Sequence, residues 1–543
     1  FKAYDNVITS WWDDGIYVYY SYAYFIVCNN TIDSYYYGVY LYEAYSYAII
    51  NDNWIYSRDY PGIYISDYAD GVEIKRNTVY SYNEGVYVDD SYGPTDISDN
   101  VIRSEWNYGV CLYYSYGDLY IDNNSIWSYS EGVYVEYAYS TASICDNNIR
   151  SLYSYGIYLD EEFYSNVTIN NNQIWAYDEA ILIDYYVYGD LEIVGNFIGS
   201  EWSYAIYISA EDYDFYGSIT INENTIYALD DCGIYVEYYV YGDVQINHNN
   251  ISAYCDAIYF DDEVYGNVEI LHNNIDAALY GGDDAIYFSS WIYGSVEISH
   301  NTINAALWTG YGYYGVYLAD VYGDTLIEDN EISSCYYGVY VSWSENDVTI
   351  TGNTITADST GIYVDLYGDA TITNNVINNP DSEGIYVYSA WGKCDIMNNT
   401  ISVRPGAYGI YLDESVYGKV TILRNVIDPG TCAGIYIEFY IHPHSLIAHN
   451  TIFLAEDYGI FLNIYVPSTV EVKNNIVYGM NKTDSVGIYG GVSGPVGWND
   501  VYNFRDLGTW NATYGDISLD PKFVNPFLGD FHLKATSPCI DKG

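Results

Sequence analysis

The chain has 543 residues, of which 76 are Tyr, and 74 acidic side chains against 16 basic ones give a formal net charge of −58. That length is too great for one ordinary globular core, so it requires several domains or one extended repeat. The charge excludes nucleic acid and anionic membrane as partners and favours cations. The aromatic content excludes an acidic disordered chain, and no run reaches the ~18 apolar residues of a membrane span.

The chain enters at Phe1 in mid-repeat, which reads as a processed start or a piece of a longer protein. From Asn6 onward one unit recurs. It reads Gly-Ile/Val-Tyr-Val/Leu, a variable turn often holding Tyr-Gly-Asp, then Val-x-Ile-x-x-Asn-x-Ile. The Asn of Asn-x-Ile/Val stands at 6, 30, 53, 77, 100, 124, 147, 172, 196, 224, 249, 273, 301, 330, 353, 375, 399, 425, 450 and 475. Twenty copies at about 25 residues each define a solenoid repeat. Each copy holds three short runs with an apolar residue at every second place, such as Val72 and Ile74, Val79, then Val86 and Val88. Period two predicts strands, and Gly and Asn interrupt every run before a helix could complete two turns. One triplet cannot bury its apolar face alone. Stacked copies at ~4.8 Å bury it, predicting three parallel sheets around a narrow core and a rod of roughly 95 Å.

The recurring Asn is expected to bridge coils, donating to one neighbour and accepting from the other. The Gly before Ile/Val-Tyr and the Gly of Tyr-Gly-Asp are expected at bends with positive φ. The repeats are assigned to residues 1–490 and a closing segment to 491–543. Nine Cys are too sparse for a disulfide framework, although Cys232 and Cys255 hold nearly equivalent places on adjacent coils and could pair. Sequons at Asn29, Asn123, Asn166, Asn250, Asn398, Asn481 and Asn511 are compatible with glycosylation outside the cell.

This pattern resembles the right-handed parallel β-helix repeats of the pectate-lyase-like superfamily, nearest to secreted and surface members from bacteria and archaea. Asn499-Asp500-Val501-Tyr502-Asn503, Asp520-Pro521-Lys522-Phe523, Gly529-Asp530-Phe531-His532-Leu533 and Ser537-Pro538-Cys539-Ile540-Asp541-Lys542-Gly543 resemble the closing segment of such helices. The resemblance implies an all-β, single-chain right-handed β-helix. It also places a substrate groove, in the pectin-cleaving members, on the sheet formed by the Gly-Ile/Val-Tyr-Val strands. The hydrolases' Gly-His-Gly and Arg-Ile-Lys motifs are absent. The lyases need a basic residue beside Ca²⁺-binding carboxylates. Lys393, Arg404, Lys419 and Arg424 form the one modest basic cluster, and relief of surrounding negative charge is its expected role. No catalytic residue is assigned.

Two outward files remain on the third strand of the repeat. The first is Tyr at 17, 40, 64, 87, 134, 158, 207, 235, 259, 287, 317, 340, 363, 386, 411, 436 and 489, with Cys111, Leu182 and Phe461 departing from it. An exposed aromatic stripe marks a binding or assembly surface, and Tyr207, Tyr235, Tyr259, Tyr287, Tyr317, Tyr340 and Tyr363 are its expected centre. Two places later run carboxylates, including Glu136, Asp160 and Asp184 on consecutive coils and Glu237 with Asp261. Their repulsion is relieved by Ca²⁺ or by salt screening. His248, His272 and His300 precede the ladder Asn on successive coils; a turn role is expected before a transition-metal one.

The reading is an extracellular structural or interaction protein, a subunit of a sheath, surface layer or filament, self-associating through Tyr with Ca²⁺ as the cation. A polysaccharide-binding or polysaccharide-cleaving β-helix and a virus tail spike are the alternatives.

Overall fold

The computed structural model describes residues 1–543 except 210–213, 279–282, 306–312, 415, 429–431, 463–468, 491–495, 509–514 and 541–543. The sequon at Asn511 and the final Asp541-Lys542-Gly543 therefore lie outside the described residues. The chain divides into two compact units, Phe1–Glu269 with Asn273–Tyr280 and Ile270–His272 with Gly281–Gly543. Each is a parallel β-solenoid. No helix among the described residues is long and apolar enough to cross a membrane.

One coil of the first unit shows the rule. Its strands are Val72–Lys75, Thr78–Ser81 and Val86–Ser91, hereafter the first, second and third strands of a coil. Val72 pairs in parallel with Ala48 and Thr95, Val79 with Ile55 and Ile102, and Val86 with Ile63 and Val110. Alternate residues point inward, so Val72, Ile74, Val79 and Val86 are fully buried. Each such side chain contributes ~1.5–3 kcal/mol of burial. In the second unit, Ala370–Thr373, Val376–Asn378 and Glu383–Ala390 repeat the plan. There the second and third strands also fuse into single bent strands, Glu331–Ser344 and Thr354–Leu366.

The Asn ladder is built as expected. Asn353 donates from Nδ2 to Ile327 O of the preceding coil at 2.8 Å and to Asn375 Oδ1 of the next at 3.1 Å. Its own Oδ1 accepts from the backbone N and Nδ2 of Asn330 at 2.9 and 3.0 Å. These side chains are buried, so the bonds satisfy groups that water cannot reach. The ladder continues past Asn475 to Asn499, whose N and Nδ2 donate to Asp516 Oδ1 at 2.9 and 3.2 Å.

Glycine does not play the part expected of it. Gly85 and Gly242 lie outside the left-handed region, where the glycines with positive φ are others, such as Gly195 and Gly352. The requirement is space. A Cβ on Gly85 would stand 2.5 Å from Gly109 O, and one on Gly242 would stand 2.2 Å from Gly217 O. The left-handed bend instead falls one residue before the ladder Asn. It is held by side-chain-bearing residues such as Asp52 (φ 59°), Arg76 (53°), His248 (59°) and Asn374 (60°). Asn, Asp and His adopt this conformation more readily than most residues, and the ladder bonds on the next residue hold it in place.

Parallel pairing runs on beyond residue 490, as Val486 pairs with Asp506 and Ile488 with Gly508. The last described element is an antiparallel hairpin, Phe523–Asn525 with Asp530–Leu533, turned by a 3₁₀ segment Pro526–Leu528. Phe523, Phe527 and Phe531 lie 6.0, 5.5 and 5.4 Å from the Phe453 ring of the solenoid.

Candidate interaction surface

The third strands position the expected Tyr file in register. Tyr207 pairs with Tyr235 and Tyr235 with Tyr259; in the second unit Tyr317 pairs with Tyr287 and Tyr340, and Tyr340 with Tyr363. Ring centroids are 5.2 Å apart for Tyr207–Tyr235, 5.0 Å for Tyr235–Tyr259 and 4.1 Å for Tyr340–Tyr363. The file is half-buried, however, not exposed. Tyr134 is only 6% accessible, and Tyr17 and Tyr489 at the ends reach 52% and 43%. Neighbouring rings cover one another, and a flanking Tyr adds to the cover: Tyr204 lies 4.9 Å from Tyr207 and 5.0 Å from Tyr235. Burial accordingly raises the phenols of Tyr207, Tyr235 and Tyr363. The stack is also irregular, with planes 86° apart at Tyr40–Tyr64 and 71° at Tyr363–Tyr386.

The carboxylates two places on are tied into this layer. The Tyr134 hydroxyl lies 2.8 Å from both Glu136 Oε2 and Asp160 Oδ2. Tyr207 donates to Glu237, Tyr259 to Asp261 at 2.8 Å, and Tyr386 to Asp413 at 2.5 Å. Asp184 accepts from the backbone N of Tyr185 at 3.0 Å. Burial first, then the charges of Asp90 and Asp67, push Asp89 up to about 6; burial also raises Glu136. Among the described residues, none of the five candidate calcium carboxylates joins a group of three metal-ligating side chains.

A second, more exposed aromatic file lies on the turn after the third strand. In the first unit it comprises Tyr22, Tyr45, Tyr68, Tyr92, Tyr116, Tyr139, Tyr164, Tyr188, Tyr216, Tyr241 and Tyr265. Successive centroids are 4.6–5.7 Å apart and successive planes 4–15° apart. Tyr164, Tyr188 and Tyr216 are 43%, 43% and 45% accessible. The turn is itself paired coil to coil: Tyr188 N donates to Phe163 O at 2.9 Å and Tyr241 N to Phe215 O at 2.8 Å. Phe163 and Phe215 point into the core, so the adjacent Tyr must point out. Carboxylates two residues earlier accept from several phenols, as Glu43 does from Tyr45 at 3.2 Å and Glu263 from Tyr265 at 2.8 Å. In the second unit Tyr293–Tyr322, Tyr367–Trp391 and Trp391–Tyr417 continue the pattern at 5.0, 5.2 and 4.4 Å. The signal in the sequence was the recurring aromatic-Gly pair, read as a turn and not as a file.

The remaining candidates do not converge. The His272 and His300 rings stack at 4.9 Å, and His300 Nδ1 lies 3.9 Å from Asp329. His248, His272 and His300 all occupy the left-handed turn position. Lys393 pairs with Asp369 at 2.8 Å, and Arg404 with Asp358 and with Asp381, the latter at 3.9 Å. Both cations are thus engaged by carboxylates.

Comparison with known proteins gives two matches. Residues 281–427 match a family model described as periplasmic copper-binding protein (NosD). Residues 2–126, 95–198, 131–292 and 360–503 match the model described as right handed beta helix region. No curated protein and no solved structure matches the chain. With parallel coils in both units and the second match covering most of its length, the chain belongs to the right-handed β-helix family.

Proposed function

We propose that this chain is a structural or interaction protein of the cell exterior, a subunit of a surface layer, sheath or filament that associates with further copies of itself. The observation that carries the reading is the exposed turn file, with eleven Tyr rings stacked in order on the first unit. A second copy presents the same pitch, so two files match ring for ring. Tyr offers large contact area with little rotamer entropy to lose. The carboxylates beside the file, Glu162, Asp214 and Glu263 among them, repel a like surface, so contact requires cations. The match to a model described as periplasmic supports export. Stacking on sugar rings is the weaker reading, because each internal ring already has its faces against its neighbours. Negative-stain electron microscopy of native material in Ca²⁺ tests the proposal. Ordered arrays or filaments support it, and isolated particles at every Ca²⁺ concentration overturn it.

A further inference from the structure

We propose that Cys232 and Cys255 are oxidised to a disulfide that clamps two successive coils of the first unit. Ile234 pairs with Ile258, so Cys232 stands level with Asp256 and Cys255 with Asp231. The two cysteines are therefore diagonal neighbours, one coil (~4.8 Å) and one residue (~3.3 Å) apart, roughly 6 Å between Cα atoms. Disulfides favour about this separation. Their sulfurs lie 2.8 Å apart, inside the contact distance of two unbonded sulfurs.

A shared cation is the competing occupant, because an oxygen of Asp231 lies within 4.8 Å of both sulfurs. A tetrahedral zinc-like ion with bonds of ~2.3 Å would hold its sulfurs roughly 3.7 Å apart. The 2.8 Å between the two thiols is well short of that and needs a closure of only ~0.8 Å to reach a disulfide bond.

Accessibility sets the order of events. Cys232 is buried, at 3% accessible, and Cys255 is half-buried. A small disulfide such as an oxidised glutathione-type reagent therefore meets Cys255 first. The Cys255 thiolate attacks it, forming a mixed disulfide and releasing one thiol. The Cys232 sulfur then attacks the Cys255 sulfur, releasing the second thiol. Two protons leave the protein and two electrons pass to the reagent, which ends as two thiols. Asp231, which has a carboxylate oxygen within 4.8 Å of both sulfurs, is placed to take the Cys232 proton. The bond closes a short loop and prevents the two coils from separating, which restricts the unfolded chain.

The test uses the full chain purified without reductant, denatured, alkylated and analysed by peptide mapping and intact mass. The expected result is a linked pair of peptides carrying Cys232 and Cys255, with seven of the nine cysteines alkylated. Cys255→Ser and Cys232→Ser each yield eight alkylated cysteines. Reduction lowers the melting midpoint of the parent and leaves that of either variant unchanged. Nine alkylated cysteines in the parent, or a metal retained in native mass spectrometry and lost from both variants, overturns the proposal.

Discussion

The Tyr134 hydroxyl and Asp160 Oδ2 meet at 2.8 Å across two neighbouring coils, and Glu136 Oε2 lies at the same distance from that hydroxyl. One phenol thus sits between two carboxylates whose spacing of ~4.8 Å costs nearly 1 kcal/mol even in water. Tyr134→Phe removes the shared donor and is expected to destabilise by ~1–3 kcal/mol, read as a lower melting midpoint at neutral pH. If Ca²⁺ also relieves these carboxylates, EDTA at low ionic strength is expected to lower the midpoint of the parent, and Ca²⁺ to restore it better than Na⁺ at equal ionic strength. Equal recovery in both salts reduces the cation effect to screening.

The buried carboxyls give the stability a definite pH dependence. Asp89 and Asp500 each rise from an ordinary value of 3.8 to about 6, chiefly through burial. Between pH ~4 and ~6 the folded chain keeps protons that the unfolded chain has released, so stability falls as pH rises through that window. Burial raises Glu84, Glu179 and Glu383 in the same direction. Asp52 and Asp369, lowered by Arg76 and Lys393, act oppositely, but both pairs lie at the surface, where solvent screens them. The melting midpoint is expected to be higher at pH ~4.5 than at neutral pH, with Asp89→Asn flattening the slope. A midpoint that climbs steadily from pH ~4 to ~7 contradicts this.

The Asn ladder predicts a site-specific penalty. Asn353→Leu leaves Ile327 O without its side-chain donor and the backbone N of Asn330 without its acceptor, all in the interior. The expected loss is ~1–3 kcal/mol. A melting midpoint equal to the parent's would show that the ladder bonds are dispensable.

Much of this fold was legible in the sequence because a solenoid writes its period directly. The alternation in Val72–Lys75 and the spacing of the ladder Asn gave strands, register and core. Other features depend on neighbours that one repeat does not contain. Tyr207 and Tyr235 read as exposed because their strand places them outward, but rings of adjacent coils and Tyr204 cover them. The closing of the ladder on Asp516 was hidden because an Asp replaces the Asn. The turn file escaped because turn length varies between coils, which blurs the phase of Tyr188, Tyr216 and Tyr241.

Glycine substitutions separate crowding from backbone strain. A Cβ on Gly361 would stand 2.4 Å from Ile377 Cγ2 and 2.5 Å from Gly384 O, whereas one on Gly406 (φ 95°) would meet nothing within 4 Å. Gly361→Ala must therefore shift backbone on two coils, at a cost of ~1–3 kcal/mol or more. Gly406→Ala carries only conformational strain, ~1–2 kcal/mol. Thermal unfolding of the two variants is expected to rank Gly361→Ala as the more damaging, and the reverse order would refute the crowding explanation.

Association through the exposed turn file is tested most directly by four substitutions, at Tyr139, Tyr164, Tyr188 and Tyr216. Each side chain projects into solvent from a turn whose backbone pairing does not use it, so Tyr→Ser at all four leaves the coils paired. Sedimentation velocity in Ca²⁺-containing buffer compares this variant with the parent, with circular dichroism as the check on folding. The parent is expected to sediment as large assemblies while the variant stays folded and monomeric. A parent that remains monomeric in every buffer, or a variant that assembles as the parent does, contradicts it.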